Sequence, residues 1–221
     1  MVVLSLMGLG FLLGIKHAFD ADHVAAVSTM ATNHEPIKKS SLIGMFWGFG
    51  HTISLLTAGL AVLLLKITVP EKLALSFEFI VGVMLVALGI NVFATINKNK
   101  IHFHRHRHGK ERHVHFHSHK STKCHSHGHS SLGRPLIIGL MHGLAGSAAI
   151  SVLVLATINS VLLGLGYILI FGIGSIIGMM AISSIISLPF ALIPKKLETT
   201  QKILRISAGL ASAITGFIML I

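Results

Sequence analysis

Residues 2–32 read VVLSLMGLGFLLGIKHAFDADHVAAVSTMAT, an apolar run long enough to cross a membrane that nevertheless carries Lys16, His17, Asp20, Asp22 and His23. A membrane span takes roughly 20 mostly apolar residues to cross a hydrocarbon core about 30 Å thick. Some thirty helical residues rise about 45 Å, so this segment is expected to tilt, kink or break near its charged patch. No basic stretch and no small-residue cleavage site precede Lys16, which reads as a retained first span and not a cleaved signal peptide.

Working outward, five more apolar runs follow, at about 41–65, 74–96, 135–158, 161–188 and 203–221. Hydrophobic residues make up 52% of the 221 and charged residues only 11%, with a mean hydropathy of +0.80. A soluble domain carries about a quarter charged residues, so lipid must be the solvent for most of this chain. The expected fold is all-α, a polytopic membrane protein with about six transmembrane helices. The formal charge of +11 does not imply a nucleic-acid partner, because the basic residues lie in loops between apolar runs. Lys38, Lys39, the nine Lys/Arg from Lys98 to Arg134, and Lys195, Lys196 and Lys202 fall on one side of a six-span arrangement, against Lys66 and Lys72 on the other. The positive-inside rule then places both termini outside and the long 97–134 loop in the cytoplasm, in a multi-pass protein of the cell membrane. The lone cysteine, Cys124, excludes an internal disulfide framework.

The two halves repeat. LLGIKH ending at His17 aligns with IIGLMH ending at His142, and WGFGHTI (Trp47 to Ile53) with FGIGSII (Phe171 to Ile177). Gly48 thus matches Gly172, Gly50 matches Gly174, and Gly82 and Gly89 match Gly209 and Gly216. Three spans per unit is an odd number, so the second copy must enter the membrane upside down. Such inverted repeats are a transporter architecture, with substrate sites near the midplane where the repeats meet. The chain divides into a first three-helix repeat at 1–97, a His-rich loop at 98–133 and a second repeat at 134–221.

Ionisable groups at membrane depth cost at least a few kcal/mol each and persist only where paired, hydrated or bound to metal. On an unbroken helix His17, Asp20 and His23 fall within about 120° of one another, while Asp22 points elsewhere. Imidazole nitrogen with carboxylate oxygen is a ligand set for Zn, Ni, Co or Fe. Asp22 would either orient a histidine or become a ligand once the helix unwinds. A buried His–Asp cluster locking helices together and a proton relay are the competing readings. His51 in the second span is a further candidate ligand. In the fourth span His142 and Ser147 are candidate pocket residues within a small-residue stretch, and Gly48, Gly50, Gly172 and Gly174 offer close-approach faces around the pocket. Glu78 reads as interfacial, and Met179 and Met180 as apolar packing.

Eleven of the sixteen histidines lie in the loop: His102, His104, His106, His108, His113, His115, His117, His119, His125, His127 and His129, with Cys124 among them. Such a segment cannot bury a core and is expected to be disordered. Alternating imidazoles on a flexible chain chelate divalent metals, which suits a store, a sensor or delivery, with a cytoplasmic metal chaperone as a candidate partner.

HAFDADH (His17 to His23), preceded by LLGIK, resembles the HX4DH signature of the nickel/cobalt transporter family. FGHT (Phe49 to Thr52) resembles the Gly-His motif of that family's next span. The resemblance implies a secondary permease for Ni²⁺ or Co²⁺, not an enzyme, with the metal as transported ion and no cofactor. It also implies that His17, Asp20, Asp22, His23 and His51 take part in ion selection and passage. The best-known importers have eight spans and an acidic motif in the second half, whereas the stretch from His142 to Ala148 holds no acid. HGLAGSAA is more similar to the six-span relatives, which include urease-associated membrane proteins and nickel/cobalt efflux proteins, so efflux stands beside uptake. From other classes, an intramembrane metallohydrolase lacks the His-Glu-x-x-His base it would need. A metal sensor would use the loop as receptor and the spans as anchor.

Overall fold

The structure is a computed structural model of the 221-residue chain and describes residues 1–30, 36–65, 70–98, 105–108, 111–114, 132–145, 160–193 and 197–221. Its described elements are α1 (Val2–His17), α2 (Ala21–Met30), α3 (Ile37–Leu65), α4 (Glu71–Lys98), β1 (Arg105–His108), β2 (Glu111–Val114), α5 (Gly133–His142), α6 (Val161–Leu192) and α7 (Glu198–Ile218). Every element built from an apolar run is helical, as it must be where no water can satisfy backbone groups. Prolines mark the starts: the Pro36 and Pro70 carbonyls accept the first amides of α3 and α4, and Pro135 lies in the first turn of α5.

Among the described residues, three helices are long and apolar enough to cross a membrane: Ile37–Leu65, Glu71–Ile96 and Val161–Leu192. The pair α1 and α2 makes a fourth if counted as one span, bent by 53° at residues 18–20. The first apolar run therefore breaks at its charged patch, as its length required. The rest of the fourth expected span, residues 146–159, lies outside the described residues. Large apolar side chains including Leu12, Leu65, Leu162, Ile203 and Phe217 face outward, a surface suited to lipid. Within the His-rich segment β1 and β2 pair antiparallel, with His106 opposite His113 and His108 opposite Glu111. The period-two alternation of that segment is the strand period.

At the centre, α3 packs along α6, α1 flanks α6, and α5 flanks α3, while α4 pairs with α7. Glycines set these crossings, and the crossings come in matched pairs. A Cβ on Gly14 would overlap the Phe171 carbonyl oxygen, and one on Gly139 would overlap that of Trp47. Gly174 meets the Phe11 carbonyl as Gly50 meets that of Leu136, and Gly48 meets Ile176 as Gly172 meets Thr52. Gly82 lies against the Gly216 carbonyl and Gly89 against that of Gly209. Trp47, Ala18, Ala26, Val27, Leu85 and Met179 are buried where these helices converge.

Candidate metal site

The break between α1 and α2 builds the site. The α1 ladder ends in a turn in which Phe19 donates to the Lys16 carbonyl at 2.9 Å and Asp20 to that of His17 at 3.0 Å. The Asp20 carbonyl then accepts from Val24 at 3.0 Å, which starts α2 in its new direction. His17 and His23 are thereby brought side by side, with ring centroids 4.5 Å apart. His51, the central residue of the 29-residue α3, closes the group at 4.9 Å from His17 and 5.3 Å from His23. His142, the last residue of α5, lies 4.3 Å from His23 on another side. His23, His51 and His142 are fully buried and His17 is 6% exposed.

The carboxylates grip outer ring edges. Asp20 accepts from His17 Nδ1 at 2.8 Å and is itself 41% exposed. Asp22, 14% exposed, accepts from the His23 amide at 3.0 Å and His23 Nδ1 at 3.1 Å through one oxygen. Its other oxygen lies 2.8 Å from His142 Nε2. A histidine whose Nδ1 donates to a carboxylate presents Nε2 as a lone pair, the arrangement that fixes tautomer and ring orientation around bound metals. For His17 that Nε2 is 3.1 Å from Nε2 of His51. For His23 it is buried with no hydrogen-bond partner, as are Nδ1 of His51, Nδ1 of His142 and Nε1 of Trp47. Buried polar atoms are rarely left unpaired, and four of them belong to the rings of this cluster.

Among the described residues, two triads have ligand atoms within 4.8 Å of one another: His17, His23 and His51, and Asp22, His23 and His142. Trp47 stacks on His23 at 5.3 Å and 28° between planes, while Phe171 covers His17 at 5.6 Å.

Of the sequence candidates, the structure gathers His17, Asp20, Asp22, His23, His51 and His142 together. Gly48, Gly50, Gly172 and Gly174 lie at the helix crossings that bring α3 and α6 beside their neighbours. Ser147, His102, His104, His115, His117, His119, Cys124, His125, His127 and His129 lie outside the described residues. Trp47 was not anticipated, although its place one helical turn before His51 was a signal. The angle assigned to Asp22 on an unbroken helix is overtaken by the bend, which carries it to His142.

Comparison with known proteins bears on what such a cluster serves. The family described as high-affinity nickel-transport protein (NicO) matches residues 3–221. A urease accessory protein, UreH, of Bacillus sp. (strain TB-90) is 37% identical over 214 residues, covering 97% of this chain and 90% of the relative. No solved structure matches significantly. With a match that spans nearly its whole length, the chain belongs to the NicO family of high-affinity nickel-transport proteins.

Proposed function

We propose that the chain is a six-span permease of the cell membrane that carries Ni²⁺ or Co²⁺ through the cluster at the α1–α2 break. His17, His23 and His51 bind the ion. Asp20 and Asp22 orient His17 and His23 and supply negative charge. The observation that carries this reading is the 3.1 Å separation of Nε2 of His17 from Nε2 of His51, beside the unpartnered Nε2 of His23. Two imidazole nitrogens on one first-row ion, each at about 2.0–2.1 Å as for zinc, stand about 2.9–3.4 Å apart. Three neutral imidazoles, two carboxylates and one dication also leave no net charge at membrane depth, where an unbalanced charge is costly.

The matched crossings support an inverted 3+3 repeat, with units at 1–97 and 134–221. Exchanging α1 with α5, α3 with α6 and α4 with α7 turns each of the glycine contacts named above into another of them. A site at the centre of α3 then lies at mid-membrane, between the repeats, where alternating access requires it. Both termini are assigned outside and the His-rich 98–133 segment to the cytoplasm, as an auxiliary metal-binding region.

Nickel and cobalt flux into proteoliposomes tests the proposal. His17→Ala and His51→Ala should each abolish flux while the protein still inserts. Normal flux in both variants would overturn it, and the direction of accumulation in cells distinguishes uptake from efflux. Deleting residues 102–129 should leave measurable flux, whereas a metal sensor would lose all response.

A further inference from the structure

The proposed site uses one side of His23, and the same ring borders a second ligand set. Asp22 and His142 lie there with a carboxylate oxygen and Nε2 at 2.8 Å, and with His23 they form a triad within 4.8 Å. Neither orienting His23 nor closing the first site requires His142, yet it is fully buried and its Nδ1 is unpartnered. His23 is nearly equidistant from the two flanking rings, at 4.5 Å from His17 and 4.3 Å from His142.

The exchange of repeats gives this arrangement meaning. It carries His17 onto His142 and Trp47 onto Phe171. The ring contacts follow suit: His17 lies 5.6 Å from Phe171 and His142 lies 5.7 Å from Trp47. His23 sits between the exchanged histidines.

We infer that the chain holds two adjoining positions for a divalent transition-metal ion, one formed by His17, His23 and His51 and the other by Asp22, His23 and His142. The ion passes between them with His23 as the common ligand. This rests on the proposed permease reading and adds to it a second position and a role for His142. An imidazole has two ring nitrogens, and either can ligate while the other keeps the proton. His23 Nε2 serves the first position. His23 Nδ1, now donating to Asp22, serves the second. On transfer the His23 proton moves from Nδ1 to Nε2, and that of His142 from Nε2 to its unpartnered Nδ1, so neither ring changes charge. Asp22 changes from orienting carboxylate to ligand. A transported ion must be held well enough to enter and weakly enough to leave, which adjoining sites achieve. The two positions lie on opposite edges of the His23 ring, so the ion leaves Nε2 before Nδ1 takes it, and the other members of each triad hold it at either end. The second position also trades an imidazole for the carboxylate of Asp22, 14% exposed.

Two readouts test the inference on the full-length protein. Trp47 is the one tryptophan of the chain and touches the His23 ring, so its quenching by Ni²⁺ reports occupancy of the cluster apart from the loop histidines. His142→Ala should keep Ni²⁺ quenching at close to the wild-type concentration while proteoliposome flux falls about tenfold or more. Flux unchanged in His142→Ala but lost in His17→Ala would overturn the second position and leave the permease intact. Quenching and flux lost together in His142→Ala would show one composite site and likewise overturn it. Flux retained in His17→Ala and His51→Ala would instead remove the permease site itself. If His142→Ala does not insert, His142→Cys decides, in a background where Cys124 is changed to Ser. Loading with Co²⁺ should give a thiolate-to-cobalt charge-transfer band in the near ultraviolet, and its absence would overturn the inference.

Discussion

Changing Asp20 to Asn isolates what a carboxylate outside the ligand set contributes to ion binding. Asp20 accepts from His17 Nδ1 at 2.8 Å, and an ion on the far nitrogen of that ring would lie about 7 Å from the carboxylate. A unit charge and a dication at that distance attract by about 1.2 kcal/mol in water and about 4.7 kcal/mol at an effective dielectric of about 20. Because Asp20 is 41% exposed, the value should lie near the aqueous end, at about 1–2 kcal/mol. Asn retains an acceptor for Nδ1 and keeps the His17 tautomer, so the loss is one of charge. The expected outcome is a rise of about tenfold in the Ni²⁺ concentration that half-quenches Trp47, within the range of about 10–100-fold typical of groups that orient a metal ligand. The thermal midpoint of the metal-free protein should hardly move, since no buried group is left unpaired. Wild-type affinity in Asp20→Asn would refute the charge contribution. Asp20→Ala, which also releases the ring, should be weaker still.

Other outcomes follow from the same geometry. Gly14→Ala and Gly139→Ala each drive a methyl into a facing carbonyl oxygen and should lower stability by about 1–3 kcal/mol. Detergent melts check this, and matching losses are expected if the two crossings are equivalent. Trp47→Ala removes a fully buried indole stacked on His23, with an expected cost of about 3–5 kcal/mol and a loosened His23; unaltered stability and nickel affinity would contradict that packing.

Much of this arrangement is readable in the chain itself. Four ionisable residues within HAFDADH could not stay on one straight apolar helix, and the structure breaks at residues 18–20. The His17–Asp20 pairing follows from i, i+3 spacing. The aligned glycines marked positions that turn out to lie at close helix crossings. What sequence periodicity could not supply was the direction of α2 after the break. A 53° bend decides that Asp22 reaches His142, 120 residues away, and no helical wheel drawn through residue 20 contains that angle. Trp47 reads as an ordinary apolar residue until His23, from another helix, is placed on its face. The strand pair at 105–108 and 111–114 was visible as period-two alternation, but its high charge argued for disorder instead.

A structure of the nickel-loaded protein with anomalous scattering recorded at the nickel absorption edge puts the ion directly on the map. A peak within coordination distance of His17, His23 and His51 is the predicted result. A peak confined to the 98–133 segment, with none between α1, α2 and α3, would contradict it.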